Sequence, residues 1–155
     1  MQTKPVILLP NSFNAAQLSQ LKEANNIWSV SDIYHSQVNE LAEIRFPGDV
    51  VARQAFVDEQ PAGDLAGAWV YFPWSGVLLH CLPEDELFEL RTNRNQNLIS
   101  KQEQAILAAS VVAVAGMSVG SGIALSCVYS GMSGDIKIAD FDSLETANLN
   151  RLREN

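Results

Sequence analysis

The stretch from Val111 to Asp142 constrains the fold more than any other. "VVAVAGMSVGSGIALS" opens with the apolar run Val111–Ala115, turns at Gly116 and resumes as a helix-like sequence, and "DIKIADFD" then returns an apolar run, Ile136–Ala139, that ends in acid. Two parallel strands need a crossover between them, and "SGIALSCVYSG" has the length of a crossover helix, which predicts a right-handed βαβ unit. Such a unit sets the helix N-terminus, with its unpaired N–H groups and partial positive charge, against the end of the first strand. A phosphate fits there when no side chain blocks its approach. Gly116, Ser118, Gly120, Ser121 and Gly122 are all small, and the serines add hydroxyl donors. Asp140 ends the second run 24 residues after Gly116, near the spacing at which an acid lies beside the turn and accepts hydrogen bonds from ribose hydroxyls. The dinucleotide fingerprint G-x-G-x-x-G, however, is met only at Gly116 among the residues Gly116–Ser121. These residues therefore admit either a nucleotide-binding turn or a helix packed closely on a strand.

Composition narrows the class. Apolar residues make up 47% of the 155, enough for a packed core and too many for wholesale disorder. A formal net charge of -8 argues against binding a nucleic-acid backbone, which needs clustered Lys and Arg. Cys81 and Cys127 lie far apart, and only His80 stands near either at metal-ligand spacing. They read as reduced core thiols of a cytoplasmic protein, with no metal site. The start "MQTKPVILLP" holds an apolar run too short for a signal-peptide core, and no run approaches the roughly 20 apolar residues of a membrane span.

Upstream, "PVILL" reads as a short strand bounded by prolines, and "NAAQLSQLKEANN" as a helix with Ala15, Leu18 and Leu21 on one face. Ser31 is placed to cap a second helix striped by Tyr34, Val38 and Leu41, which "FPGD" ends. A third helix spans Val50 to Val57, and "QPAGDLAG" is a loop. Trp69–Phe72 and Val77–Leu82, joined by "PWSG", predict a β-hairpin whose aromatic side chains belong to a core. Pro83 opens a helix with Glu84, Asp85 and Glu86 in its first turn, where acid complements the helix dipole. Ser100 and Glu103 form a capping box for the next. A boundary falls between about Leu82 and Arg91, dividing an accessory α/β region (1–85) from the start of a second unit (86–155). The fold class is α/β: a mixed α/β N-terminal region, then the βαβ opening of a Rossmann-like domain.

The segment "DIKIADFDSLETANLNR" places Asp140, Asp142, Asn148 and Arg151 together after the second strand, and "RTNRN" begins at Arg91. The order of these elements resembles the ThiF-type adenylyltransferases, bacterial relatives of ubiquitin-activating enzymes, with their R-Y-N-R-Q segment, glycine-rich turn, D-x-D pair and N-L-x-R element. The resemblance covers about Arg91 to Arg153. Ser118 and Val119 stand where the family usually has glycines. "WVYFPWSG" and "LPEDE" ahead of this region are similar to the N-terminal extension of larger bacterial members.

The resemblance implies an enzyme that binds ATP with Mg2+ and activates a carboxyl group, such as the C-terminus of a ubiquitin-like or sulfur-carrier protein, as an acyl adenylate. It implies that Arg94 is an arginine finger reaching the phosphates across a homodimer, and that Arg151 and Asn148 contact phosphate within one subunit. Asp140 then holds the ribose, and Gly116, Ser118 and Gly120 belong to the loop beneath the nucleotide. Asp142 is the second acid of D-x-D, without a defined role. The family's lysine, magnesium-binding aspartate and zinc cysteines lie further along than Asn155, so these residues are expected to be the first part of a longer adenylation domain. Two other readings fit the βαβ unit: an NAD(P)-binding oxidoreductase, which does not require "NLNR", and a non-catalytic module that binds protein partners.

Overall fold

The computed structural model describes residues 4–132, 134–143 and 145–148. The fold is mixed α/β and forms two compact units, Met1–Leu90 and Arg91–Asn155. No helix among the described residues is long and apolar enough to cross a membrane.

The first unit is built on a four-stranded sheet in the order β1-β3-β4-β2, with β1 at Val6–Leu8, β2 at Ser29–Asp32, β3 at Ala68–Phe72 and β4 at Val77–Cys81. The expected hairpin is β3 and β4, paired antiparallel around the turn between Phe72 and Val77. β1 adds antiparallel to β3, and β2 adds parallel to β4. Three helices accompany the sheet: α1 (Ala15–Ala24), α2 (Tyr34–Arg45) and α3 (Val50–Glu59). Asn14 starts α1 with a reciprocal pair of bonds, its side chain accepting from Gln17 N–H while the Gln17 side chain accepts from its own N–H. α4 (Glu84–Thr92) follows the sheet. Arg45, at the end of α2, reaches two of its acids, with Nη2 2.6 Å from Glu89 Oε2 and Nη1 3.5 Å from Glu86 Oε1.

Two apolar clusters form the core. Leu18 and Leu21 of α1 pack on Trp69, Tyr71 and Leu78 of the hairpin. Tyr34, Val38 and Leu41 of α2 gather with Ala66 and Leu82, and with Phe56, Val57, Leu87 and Leu90 at the margin. Of the stripes expected on the first two helices, Leu18 and Leu21 of α1 and Tyr34, Val38 and Leu41 of α2 are buried, whereas Ala15 is exposed.

Ser31 does not cap α2. It lies inside β2, and Ile33 stands at the start of the helix without a side-chain bond. The strand escapes notice in the sequence because its polarity is inverted: Ser29 and Ser31 are half-buried while Val30 and Asp32 are exposed. The acceptor near the start of α2 is Asp32, whose Oδ1 takes the Tyr34 N–H at 3.3 Å.

Asp32 has a second role. His80 is 3% exposed and stacks on Trp69 at 4.2 Å and on Tyr34 at 5.0 Å between ring centroids. Its Nδ1 lies 3.0 Å from Asp32 Oδ1 and its Nε2 lies 2.8 Å from the Ala66 carbonyl oxygen. Both partners are acceptors, so the ring satisfies both when each nitrogen carries a proton. Burial alone would raise the Asp32 carboxyl. The hydrogen bond from His80 and its charge, with the Tyr34 N–H and the charge of His35, outweigh burial and hold the group below its ordinary 3.8.

A carboxyl depressed by folding stabilises above its unfolded value and loses that contribution as pH falls through the folded one. Asp32→Asn is therefore expected to lower the thermal midpoint at neutral pH. The gap from wild type should close below pH 3.8, which parallel melts across an acid series will measure.

Candidate nucleotide-binding turn

The second unit contains a parallel pair, β5 (Val111–Ala115) and β6 (Asp135–Ala139), joined by α6 (Met117–Tyr129). α5 (Lys101–Ala108) precedes β5 and begins with the expected capping box: Ser100 Oγ accepts from Glu103 N–H, and the Glu103 carboxylate accepts from Ser100 N–H at 2.8 Å.

The turn after β5 is a single residue. Gly116 has φ +84°, a left-handed backbone that a side chain would strain, and Met117 is already the first residue of α6. Ser118 and Gly120, read as part of the loop, thus lie in the opening turn of the helix, which starts ahead of the expected Ser121. Gly120 is buried against β5, and a Cβ built there would come within 2.7 Å of Val114 Cγ1. Its lack of a side chain serves close helix–strand packing, whereas nothing lies within 4 Å of a Cβ at Gly116 or Gly122.

The end of β6 returns to this turn. Gly116 N–H donates to the Ala139 carbonyl at 2.8 Å, and Met117 N–H donates to Asp140 Oδ2 at 2.6 Å. Asp140 Oδ1 accepts from Asp142 N–H at 2.9 Å. Asp140 therefore caps α6 from just beyond β6 and folds the following backbone around itself. The Met117 N–H, followed by those of Asp142 and Phe141, holds its carboxyl below the ordinary 3.8. A carboxylate offers about four acceptor sites, so these N–H donors do not exhaust its lone pairs.

Gly116, Asp140 and Asp142 are thus brought together, with Ser118 in the first turn of the adjoining helix. Asn148 lies in a short 3-10 turn, Thr146–Asn148, where its Oδ1 accepts from Glu145 N–H at 2.9 Å. Arg151 lies outside the described residues. Arg94 is elsewhere: it is exposed on a 3-10 turn, Asn93–Asn97, whose Asn95 donates to Ser130 O at 3.0 Å, at the C-terminal end of α6. A 13-residue helix is about 20 Å long, so Arg94 and Asp140 belong to opposite ends of α6. The sequence reading missed Asn95 and its partner Gln104. Gln104 Oε1 accepts from Asn95 Nδ2 at 2.7 Å, and Gln104 is the buried residue on α5. A polar residue at a core position of an amphipathic helix was the available signal.

Apolar cover on this unit is thin. Val114 is the buried large apolar side chain among its described residues, while Phe141 is 97% exposed and Val119 is 70% exposed. Parallel sheets usually have both faces covered.

No protein-family profile matches the chain, and no solved structure matches it. Over 96 residues, 60% of its length, it is 38% identical to a protein of Mycobacterium tuberculosis (strain CDC 1551 / Oshkosh) described as "Uncharacterized protein MT1398". The matched stretch spans 13% of that relative.

Two outcomes are expected here. Gly120→Ala should destabilise by about 1–2 kcal/mol through overpacking, and in a Val114→Ala background the same change should turn mildly stabilising, because alanine suits a helix better by about 1 kcal/mol. Urea denaturation of the four proteins measures this coupling. The Asp140 carboxyl should titrate below 3.8 by carbon-13 NMR, and its capping of α6 should be complete above that pH and lost as pH falls through the folded value.

Proposed function

We propose that this chain supplies the opening βαβ segment of a Rossmann-like, ATP-dependent adenylation domain that activates a carboxyl group as an acyl adenylate. The observation that carries the reading is the meeting of Asp140 with the start of α6. A carboxylate with free lone pairs sits beside a glycine turn and a helix N-terminus, where a ribose and its phosphates would lie together. The order of the surrounding elements, "RTNRN" before and "DFDSLETANLNR" after, favours adenylation over ordinary dinucleotide binding.

In this reading a carboxylate oxygen of the substrate attacks the α-phosphorus, the bond to the bridging oxygen of the β-phosphate breaks, and pyrophosphate leaves. A terminal carboxylate of a ubiquitin-like or sulfur-carrier protein suits the role. Asp140 orients the ribose, and the bare Gly116 lets the nucleotide approach the backbone. Arg94, rooted at the far end of α6, supports a homodimer in which its guanidinium neutralises developing charge in the other subunit's site. Asn148 and Arg151 contact phosphate within one subunit. Among the described residues there is no group of three His, Cys, Asp or Glu that could hold a metal.

A second reading, a protein-binding module, is favoured by one observation: the Met117 N–H is already used by Asp140, beside the exposed Phe141 and Val119.

The test is pyrophosphate exchange by the complete protein with candidate carboxyl substrates, together with calorimetry using ATP and NAD. Exchange that depends on substrate and falls by about 100-fold in Arg94→Ala supports adenylation. Tight NAD binding without ATP binding supports an oxidoreductase and ends this reading, and binding of neither nucleotide favours the module.

A further inference from the structure

Asn95 and Gln104 form a closed set of amide bonds at the C-terminal end of α6. Asn95 Nδ2 donates to Gln104 Oε1 at 2.7 Å and to Ser130 O at 3.0 Å. Gln104 Nε2 donates to Ser130 O at 3.2 Å and to Gly131 O at 3.4 Å. The carbonyls at the end of a helix lack intrahelical donors, and these two side chains supply some. Reversing either amide would set oxygen against carbonyl oxygen, so the bonding fixes both orientations. The Asn95 backbone is tied as well, its carbonyl accepting from Leu98 N–H at 2.8 Å and Ile99 N–H at 2.9 Å. Arg94 is the preceding residue of the same turn, and its side chain extends from this anchored root.

We infer that Asn95 and Gln104 are positioning residues that clamp the Arg94 turn to the end of α6 and so set where its guanidinium projects. The clamp rests on the hydrogen bonds, and its consequence for catalysis rests on the adenylation reading. A long cation anchored at its base loses less freedom when it meets a phosphate than one on a loose segment, so the clamp acts on rate through Arg94 alone.

The experiment uses the complete protein and five variants: Asn95→Asp, which keeps the shape but turns an acceptor toward Ser130 O, Gln104→Ala, Arg94→Ala, the double variant of Asn95→Asp with Arg94→Ala, and the control Gln96→Ala. Among the described residues Gln96 bonds within the turn, to Asn93 Oδ1. Limited trypsin digestion reads cleavage after Arg94 against cleavage after Lys137 in β6, which opens only with the sheet. Losing a buried bond should speed cleavage at Arg94 about tenfold in Asn95→Asp and Gln104→Ala, without change at Lys137 or in Gln96→Ala. Pyrophosphate exchange should show a lower kcat with KM for ATP unchanged in Asn95→Asp, and no further loss when that change is added to Arg94→Ala. Unchanged cleavage at Arg94, equal acceleration at Lys137, or additive losses in the double variant overturn the clamp. The two failures separate: wild-type protein without exchange ends the adenylation reading, whereas unchanged cleavage at Arg94 ends the clamp.

Discussion

The bond from the Met117 N–H to the Asp140 carboxylate is the constraint on which the second unit depends. It joins the first residue of α6 to the end of β6 across the parallel pair. Three requirements are met by it. The helix gains a partner for an orphan donor and a negative charge at its positive end. The strand end is held against the turn, next to the bond from Gly116 N–H to the Ala139 carbonyl. The acid is also placed beside the helix N-terminus. A glycine at 116 is needed for this arrangement, since φ of +84° lets α6 begin one residue after β5 ends.

Packing and chemistry share the same short segment. Gly120 has no side chain because Val114 lies beneath it, and Gly116 has none because the backbone turns there. These are different reasons for the same residue type four positions apart. The dinucleotide pattern of glycines combines such reasons, one for the turn, one for ligand approach and one for helix–strand contact. In this chain the turn at Gly116 and the helix–strand contact at Gly120 are visible in the structure, with Met117, Ser118 and Val119 between them.

The first unit shows how a polar group is kept inside an apolar cluster. His80 is enclosed by Trp69 and Tyr34 and bonded at both nitrogens, to Asp32 and to Ala66. Lys22 of α1 lies 4.7 Å from the centroid of the Trp69 ring, adding a cation to the same cluster. The arrangement joins β2, β4 and the chain before β3 through one side chain. A buried histidine with both nitrogens satisfied is thus a structural element of this sheet.

Local order determined much of what the sequence revealed. The hairpin was legible because β-branched and aromatic residues flank a Pro-Gly turn, and α1, α3 and α5 because spacing, caps and apolar stripes act within a few residues. The βαβ unit and the placement of Asp140 near Gly116 were legible for the same reason: a strand, a helix and a strand in succession have few ways to pack. What lay beyond the sequence depended on partners distant along the chain. β2 exists because β4 pairs with it, although its own alternation runs the wrong way for a buried strand. Ser31 lost its place as a cap to that pairing. The cap of α6 comes from Asp140, just beyond β6, and the anchor of the Arg94 turn comes from Gln104 and Ser130. Sequence fixes preferences over a turn or two, whereas pairing, capping between elements and buried amide bonds are chosen when distant segments meet. Only the tertiary structure could decide which polar atoms would face each other.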